Sequence, residues 1–160
     1  METIRDEAQL RKIILRLAQA QLPRYAQIRH GPLEYGKDVV AVLEMRGRRL
    51  LRMWQAKIGD ITMPKWRESR DELEEMYLVP LASLQIGFEV DEREGILVCN
   101  GHANPSVEPV MSGWFAEQEH DHRRAFRFLH LDGLVNWIVD DRLVNEFRAA
   151  LLELGIEPVV

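Results

Sequence analysis

Three residues of this chain, Asp38, Gln55 and Lys57, are of types that can hold and use a hard cation: a carboxylate, an amide oxygen and an ammonium. Gln55 and Lys57 are two apart, so on a strand they project from the same face. Asp38 opens an apolar run, and Arg46-Gly47 reads as a tight turn, because Gly takes the positive φ that a short hairpin needs. If those two residues are the whole loop, Met45 faces Arg48, Glu44 faces Arg49 and Val42 faces Leu51. Asp38 then falls directly opposite Gln55, with side chains roughly 5 Å apart. A four-residue loop from Met45 to Arg48 keeps this register, whereas a three-residue loop turns Gln55 and Lys57 to the other face. Mg²⁺ takes oxygen ligands and keeps several waters, so one or two carboxylates suffice. In that chemistry Asp38 is the anchoring ligand. Gln55 contributes its side-chain oxygen or orients a water, and Lys57 positions or polarises an attacking water. The plain alternative is that Asp38 only caps a turn and Lys57 only snorkels at a strand end.

These residues depend on the elements around them. Ile4, Leu10, Ile13, Ile14, Leu17 and Leu22 recur near a 3.6 period, which predicts an amphipathic helix over 4–22 stopped by Pro23. A short strand follows over 25–30, then the hairpin strands over 38–45 and 48–58. Pro64 sits near the first turn of a helix over 65–78 that carries Trp66, Leu73, Met76, Tyr77 and Leu78. Ile96 to Cys99, bounded by Gly95 and Asn100-Gly101, reads as a buried strand, and the segment between Pro80 and Glu94 has no clear pattern. A helix over 106–119 turns Val107, Val110, Met111, Trp114 and Phe115 inward. A strand covers 126–131, and helices over 132–140 and 142–153 close the chain. The order is α-β-β-β-α-β-α-β-α-α, and the crossover from the second hairpin strand to Ile96–Cys99 is expected to pair the two in parallel.

Asp38, the hairpin and Gln55-Ala56-Lys57 resemble the PD-(D/E)XK nuclease motif, in the form with Gln in place of the usual acid that is found in Mrr-type restriction endonucleases. The lead-in Glu34-Tyr35-Gly36-Lys37, the trailing Gly59-Asp60, Val98-Cys99-Asn100-Gly101 and Leu131-Asp132-Gly133-Leu134 are similar to that group as well. The likeness spans roughly residues 5 to 140. It implies a restriction-endonuclease-like α/β core with a mixed sheet. The activity it implies is hydrolysis of DNA phosphodiester bonds with Mg²⁺ or Mn²⁺, in restriction or anti-phage defence. It also implies catalytic roles for Asp38, Gln55 and Lys57 and a metal oxygen from the carbonyl of Ala56. Glu7 in the first helix, or Glu34 before the strand, is the expected second acid.

Composition is compatible with that expectation. The 160 residues make one ordinary domain, and 46% hydrophobic content is enough for a packed core. The single cysteine, Cys99, excludes a disulfide framework and suits a reducing cytoplasm. No apolar run approaches the ~20 residues of a membrane span, and the amino terminus has no signal-peptide pattern. The net charge of −5 argues against a protein that coats nucleic acid. The basic residues nevertheless cluster, in Arg46, Arg48, Arg49 and Arg52, in Lys65, Arg67 and Arg70, and in Arg123, Arg124 and Arg127. These offer phosphate contacts, while the acidic excess lies at 71–75, 89–94 and 117–121. His102, His120 and His122 suggest zinc, but a structural zinc site wants four ligands at loop-type spacing. The segment from His120 to Arg124 reads as a surface loop, and the four tryptophans as core.

Two classes of function remain. One is a metal-dependent endodeoxyribonuclease, as a homodimer or as a domain of a larger defence protein. The other is a nuclease-fold module that binds nucleic acid or a protein partner without cutting. A variant of the first acts on RNA. The substitution that divides the two classes is Gln55, because a neutral amide binds a divalent cation more weakly than a carboxylate does.

Overall fold

The computed structural model describes residues 4–29, 37–78 and 89–156. Its elements are α1 (Glu7–Ala20), β1 (Tyr25–Ile28), β2 (Val39–Met45), β3 (Arg48–Lys57), α2 (Met63–Leu78), β4 (Glu92–Cys99), α3 (Glu108–His122), β5 (Ala125–Leu129), α4 (Leu131–Asp140) and α5 (Val144–Glu153). One five-stranded sheet runs β1-β2-β3-β4-β5. The first three strands are an antiparallel meander, and β3, β4 and β5 are parallel. The molecule is thus a mixed α/β structure with helices on both faces of a mixed sheet. No helix among the described residues is long and apolar enough to cross a membrane.

The hairpin fixes the register of the whole sheet. Arg46 and Gly47 have φ of 52° and 77°, both in the left-handed region that a two-residue hairpin turn requires. Met45 pairs with Arg48, Glu44 with Arg49 and Val39 with Trp54. Alternation then sorts the strands by face. Val39, Ala41, Trp54 and Ala56 pack with Leu10, Ile13, Ile14 and Leu17 of α1. Val40, Val42, Leu51 and Met53 pack with Trp66, Leu73 and Met76 of α2. Each fully buried Leu or Ile of α1 contributes about 1.5–3 kcal/mol relative to an exposed one.

Several sequence expectations are corrected here. Leu22 does not lie on the apolar face of α1; the helix ends at Ala20, and Leu22 takes a φ of 52° that turns it out to 90% exposure. Val110 is exposed rather than inward, because α3 buries only the stripe containing Met111 and Gln118. The segment from His120 to His122 is the last turn of α3, not a loop, and Arg123 caps it in left-handed conformation. Strand β4 begins at Glu92, well before the apolar run. Its charged start is held by partners on the neighbouring strands: Glu94 accepts from Arg52 at 2.8 Å and pairs with Arg127 at 2.6 Å.

Candidate active site

The site lies where β2 begins and β3 ends. Asp38 precedes β2, and its backbone N–H donates to the carbonyl of Trp54 at 2.9 Å, continuing the ladder by one step. By register Asp38 lies opposite Gln55. Counting in twos from Val40 and from Met53, Asp38, Gln55 and Lys57 all belong to the face that packs on α2. The carboxylate of Asp38 meets the backbone of β3 and a side chain of α1. Its Oδ2 accepts from the N–H of Ala56 at 2.7 Å, taking the place of a ladder bond that β2 is too short to supply. Its Oδ1 meets Nε of Arg11 from α1 at 3.1 Å.

Gln55 is 2% exposed. Its Nε2 donates to the carboxylate of Glu72 on α2, the orientation that an acceptor-only carboxylate favours. Oε1 is then left buried with no hydrogen-bond donor among the described residues. A buried amide oxygen without a donor is costly unless something else fills its lone pairs.

Lys57 is also buried, and its ammonium pairs with Glu72 at 2.9 Å and Glu68 at 3.3 Å. Burial pulls its pKa down, but the hydrogen bond and charge of Glu72 outweigh this, with Glu7 and Glu68 adding to it, so the net shift is upward. Lys57 is therefore a fixed ammonium at neutral pH, a charge and a donor rather than a base. Burial pushes the carboxyl of Glu72 up; Lys57 offsets part of that rise, and the charges of Glu68 and Glu7 add to it.

Of the residues expected from sequence, Asp38, Gln55, Ala56 and Lys57 come together. Glu7 stands one helical turn from Arg11, bonded to it at 3.4 Å, and its charge reaches Lys57 and Glu72. Glu34 lies outside the described residues. The acidic run 71–75 reaches the site through Glu72, which meets Lys57 at 2.9 Å. Glu72 is not singled out among the acids of α2 by the sequence around it. It lies beside the buried stripe Trp66, Ser69, Leu73 and Met76 of α2, one turn after Glu68, on the edge of the helix that faces β3.

The arginine clusters do not converge on the site. Arg46, Arg48 and Arg49 lie at the hairpin, about 30 Å along β3 from Lys57. Arg48 pairs with Glu92. Arg123 and Arg124 are near the start of β5, whose Ala125 pairs with Glu94, and so belong to that same far end. Lys65 is at the near end, its Nζ bonded to the carbonyls of Ile58 and Asp60, and Arg67 is exposed one turn into α2.

Lys37, beside Asp38, is 1% exposed, and burial pushes its pKa down to about 8; Glu75 opposes the shift, while Arg29 and Arg93 add to it. The unfolded chain keeps that proton up to the ordinary lysine value. Between pH 8 and 9 the unfolded state therefore binds more protons, and stability rises with pH. Above pH 9 the buried thiol of Cys99, pushed up to about 11, acts in the opposite sense. Urea unfolding at pH 8 and pH 9 is expected to show this rise in the parent chain and not in Lys37→Met. An equal slope in both would contradict it.

No family model, curated protein or solved structure matches this chain.

Proposed function

We propose that the chain is a divalent-cation-dependent phosphodiesterase acting on DNA, with its site at Asp38, Gln55, Lys57 and Glu72. The observation that carries this reading is the buried Oε1 of Gln55, to which no described residue donates. It lies in the register that sets Asp38 opposite and Lys57 beside it. An amide oxygen and carboxylates form a hard oxygen donor set that suits Mg²⁺ or Mn²⁺ better than softer metals. Asp38 and Gln55 would hold the cation, with Glu72, the Ala56 carbonyl and Glu7 or Glu34 as further oxygens. The cation supplies a bound water of lowered pKa and neutralises charge on the phosphate.

The chain's own residues do the rest. The Lys57 ammonium, held in place by Glu72 and Glu68, donates to a phosphate oxygen or to the attacking water. Arg11 holds the Asp38 carboxylate in one orientation, as does the Ala56 N–H. Glu72, with its raised pKa, accepts a proton more readily than an exposed glutamate. Lys65, beside the end of β3, and the exposed Arg67 on α2 would steer the backbone of the nucleic acid, which makes binding salt-dependent. A homodimer, or a place in a larger defence protein of the cytoplasm, accords with this reading.

A second reading is favoured by one feature. Arg11 on Asp38, with Lys57 on Glu72, satisfies the carboxylates internally, as a non-cutting module would. Cleavage decides between the two. Supercoiled plasmid is expected to be nicked in Mg²⁺ or Mn²⁺, to stay intact in EDTA, and to be nicked again when excess Mg²⁺ is restored. Undiminished cleavage in chelator would overturn the mechanism, and no cleavage with either metal would leave the binding module.

A further inference from the structure

A second cluster lies beyond the carboxyl ends of the parallel strands, made of residues that the proposed nuclease site does not use. His102 follows β4, His130 caps the start of α4, and Asp132 is in the first turn of that helix. The histidine trio suggested by the sequence does not form, because His120 and His122 sit on the exposed end of α3. His102 is instead brought to His130, with ring centroids 5.6 Å apart.

The backbone holds this group in place from several sides. The N–H of His102 donates to Oδ1 of Asp60 at 2.9 Å, and its carbonyl accepts from Ile61 at 2.8 Å. Leu131 donates to the carbonyl of Gly101 at 2.7 Å, tying the start of α4 to the same loop. The three side chains then converge. Nε2 of His102 is 3.3 Å and Nδ1 of His130 is 3.7 Å from Oδ2 of Asp132. The three ligand atoms all lie within 4.8 Å of one another. Bonds of about 2.0–2.2 Å in a tetrahedral site set ligand atoms roughly 3.3–3.6 Å apart, so little movement would close the group on an ion.

A second observation points to a ligand. Nδ1 of His130 is buried and has no hydrogen-bond partner among the described residues, although it faces the Asp132 carboxylate. A buried ring nitrogen in that state has a lone pair or a proton unused. A cation between it, His102 and Asp132 would satisfy it.

We infer that His102, His130 and Asp132 form a binding site for a first-row transition cation of the Zn²⁺ class. Two imidazoles and one carboxylate favour such an ion over Mg²⁺, which takes oxygen ligands. Three protein ligands leave at least one coordination position open, and the half-exposed His102 and exposed Asp132 give that position access to solvent. Bound there, the cation clamps the loop after β4 to the start of α4. The site is independent of the nuclease reading and stands or falls without it.

The test uses the full, untagged chain titrated with Co²⁺, followed by visible absorption, and then with Zn²⁺ as competitor. In millimolar Mg²⁺, which fills an oxygen-ligand site such as that at Asp38, one Co²⁺ per chain is expected to bind with micromolar affinity and to be displaced by equimolar Zn²⁺. His102→Gln and Asp132→Asn, both at exposed positions, are expected to weaken it at least ~10-fold. The His120→Gln, His122→Gln double variant is expected to leave it unchanged. Absence of saturable Co²⁺ binding, survival of full affinity in His102→Gln, or its loss in the His120, His122 double variant would each overturn the assignment.

Discussion

Replacing Lys57 by methionine is expected to lower the rate of DNA cleavage by at least ~10²-fold while leaving duplex binding at low salt within a few-fold of the parent. Methionine keeps the length of the buried stem and removes only the ammonium. The group lost is a charge already fixed in place, since Glu72 and Glu68 hold it at 2.9 and 3.3 Å. It therefore needs no reorganisation when negative charge develops on phosphate. Lys57→Arg is not a neutral exchange, because the planar fork does not fit the space of a compact ammonium. Removing the ammonium leaves the half-buried Glu72 without its charged partner, with only the Gln55 amide donating to it, so thermal stability of Lys57→Met is to be measured beside its rate. A folded Lys57→Met that cleaves at the parent rate would remove Lys57 from the chemistry.

Gly101→Ala is expected to be the most destabilising of the small substitutions near the site. A Cβ at Gly101 would stand 2.5 Å from Oδ1 of Asp60, 2.6 Å from the carbonyl carbon of Gly59 and 2.7 Å from the N–H nitrogen of Asp60. Two of those atoms are backbone and cannot swing aside, so the turn after β3 and the turn after β4 must separate. Overpacking of this kind costs about 2–3 kcal/mol, which for a chain of this size lowers Tm by ~5–10 °C. Gly113→Ala is the control. Its Cβ would meet nothing within 4 Å in the middle of α3. There the helix gains about 0.5–1 kcal/mol from the lost chain entropy of glycine. Thermal unfolding of the two variants side by side checks both, and a Gly101→Ala protein as stable as Gly113→Ala would refute the close approach.

Much of the arrangement was legible because it follows from local rules. The Arg46-Gly47 turn sets a register, and the register alone decides that Asp38 meets Gln55 and that Lys57 shares their face. The apolar spacing of Leu10, Ile13, Ile14 and Leu17 gave α1 its buried side. What was not legible depends on contacts far apart in sequence. The charged start of β4 has partners on the strands to either side, Glu92 with Arg48 and Glu94 with Arg52 and Arg127. Glu72 is one of several acids in a charged helix, and nothing in its own neighbourhood distinguishes it from Glu74. Only the docking of α2 against β3 singles it out. His130 likewise reads as the end of a strand until the loop after β4 brings His102 beside it. Arg11 on Asp38 is the same kind of case, a polar residue of an amphipathic helix whose partner is fixed by where the helix docks.

The central claim is that Asp38 and the amide oxygen of Gln55 together hold a divalent cation. Calorimetric titration with Mn²⁺ tests it most directly, carried out in a His102→Gln background so that the histidine cluster does not contribute. One Mn²⁺ is expected to bind, to be lost on adding Asp38→Asn, and to bind as tightly or more tightly on adding Gln55→Glu, which places a charged oxygen where the neutral one stood. Mn²⁺ affinity untouched by Asp38→Asn, or weakened by Gln55→Glu, would contradict the account.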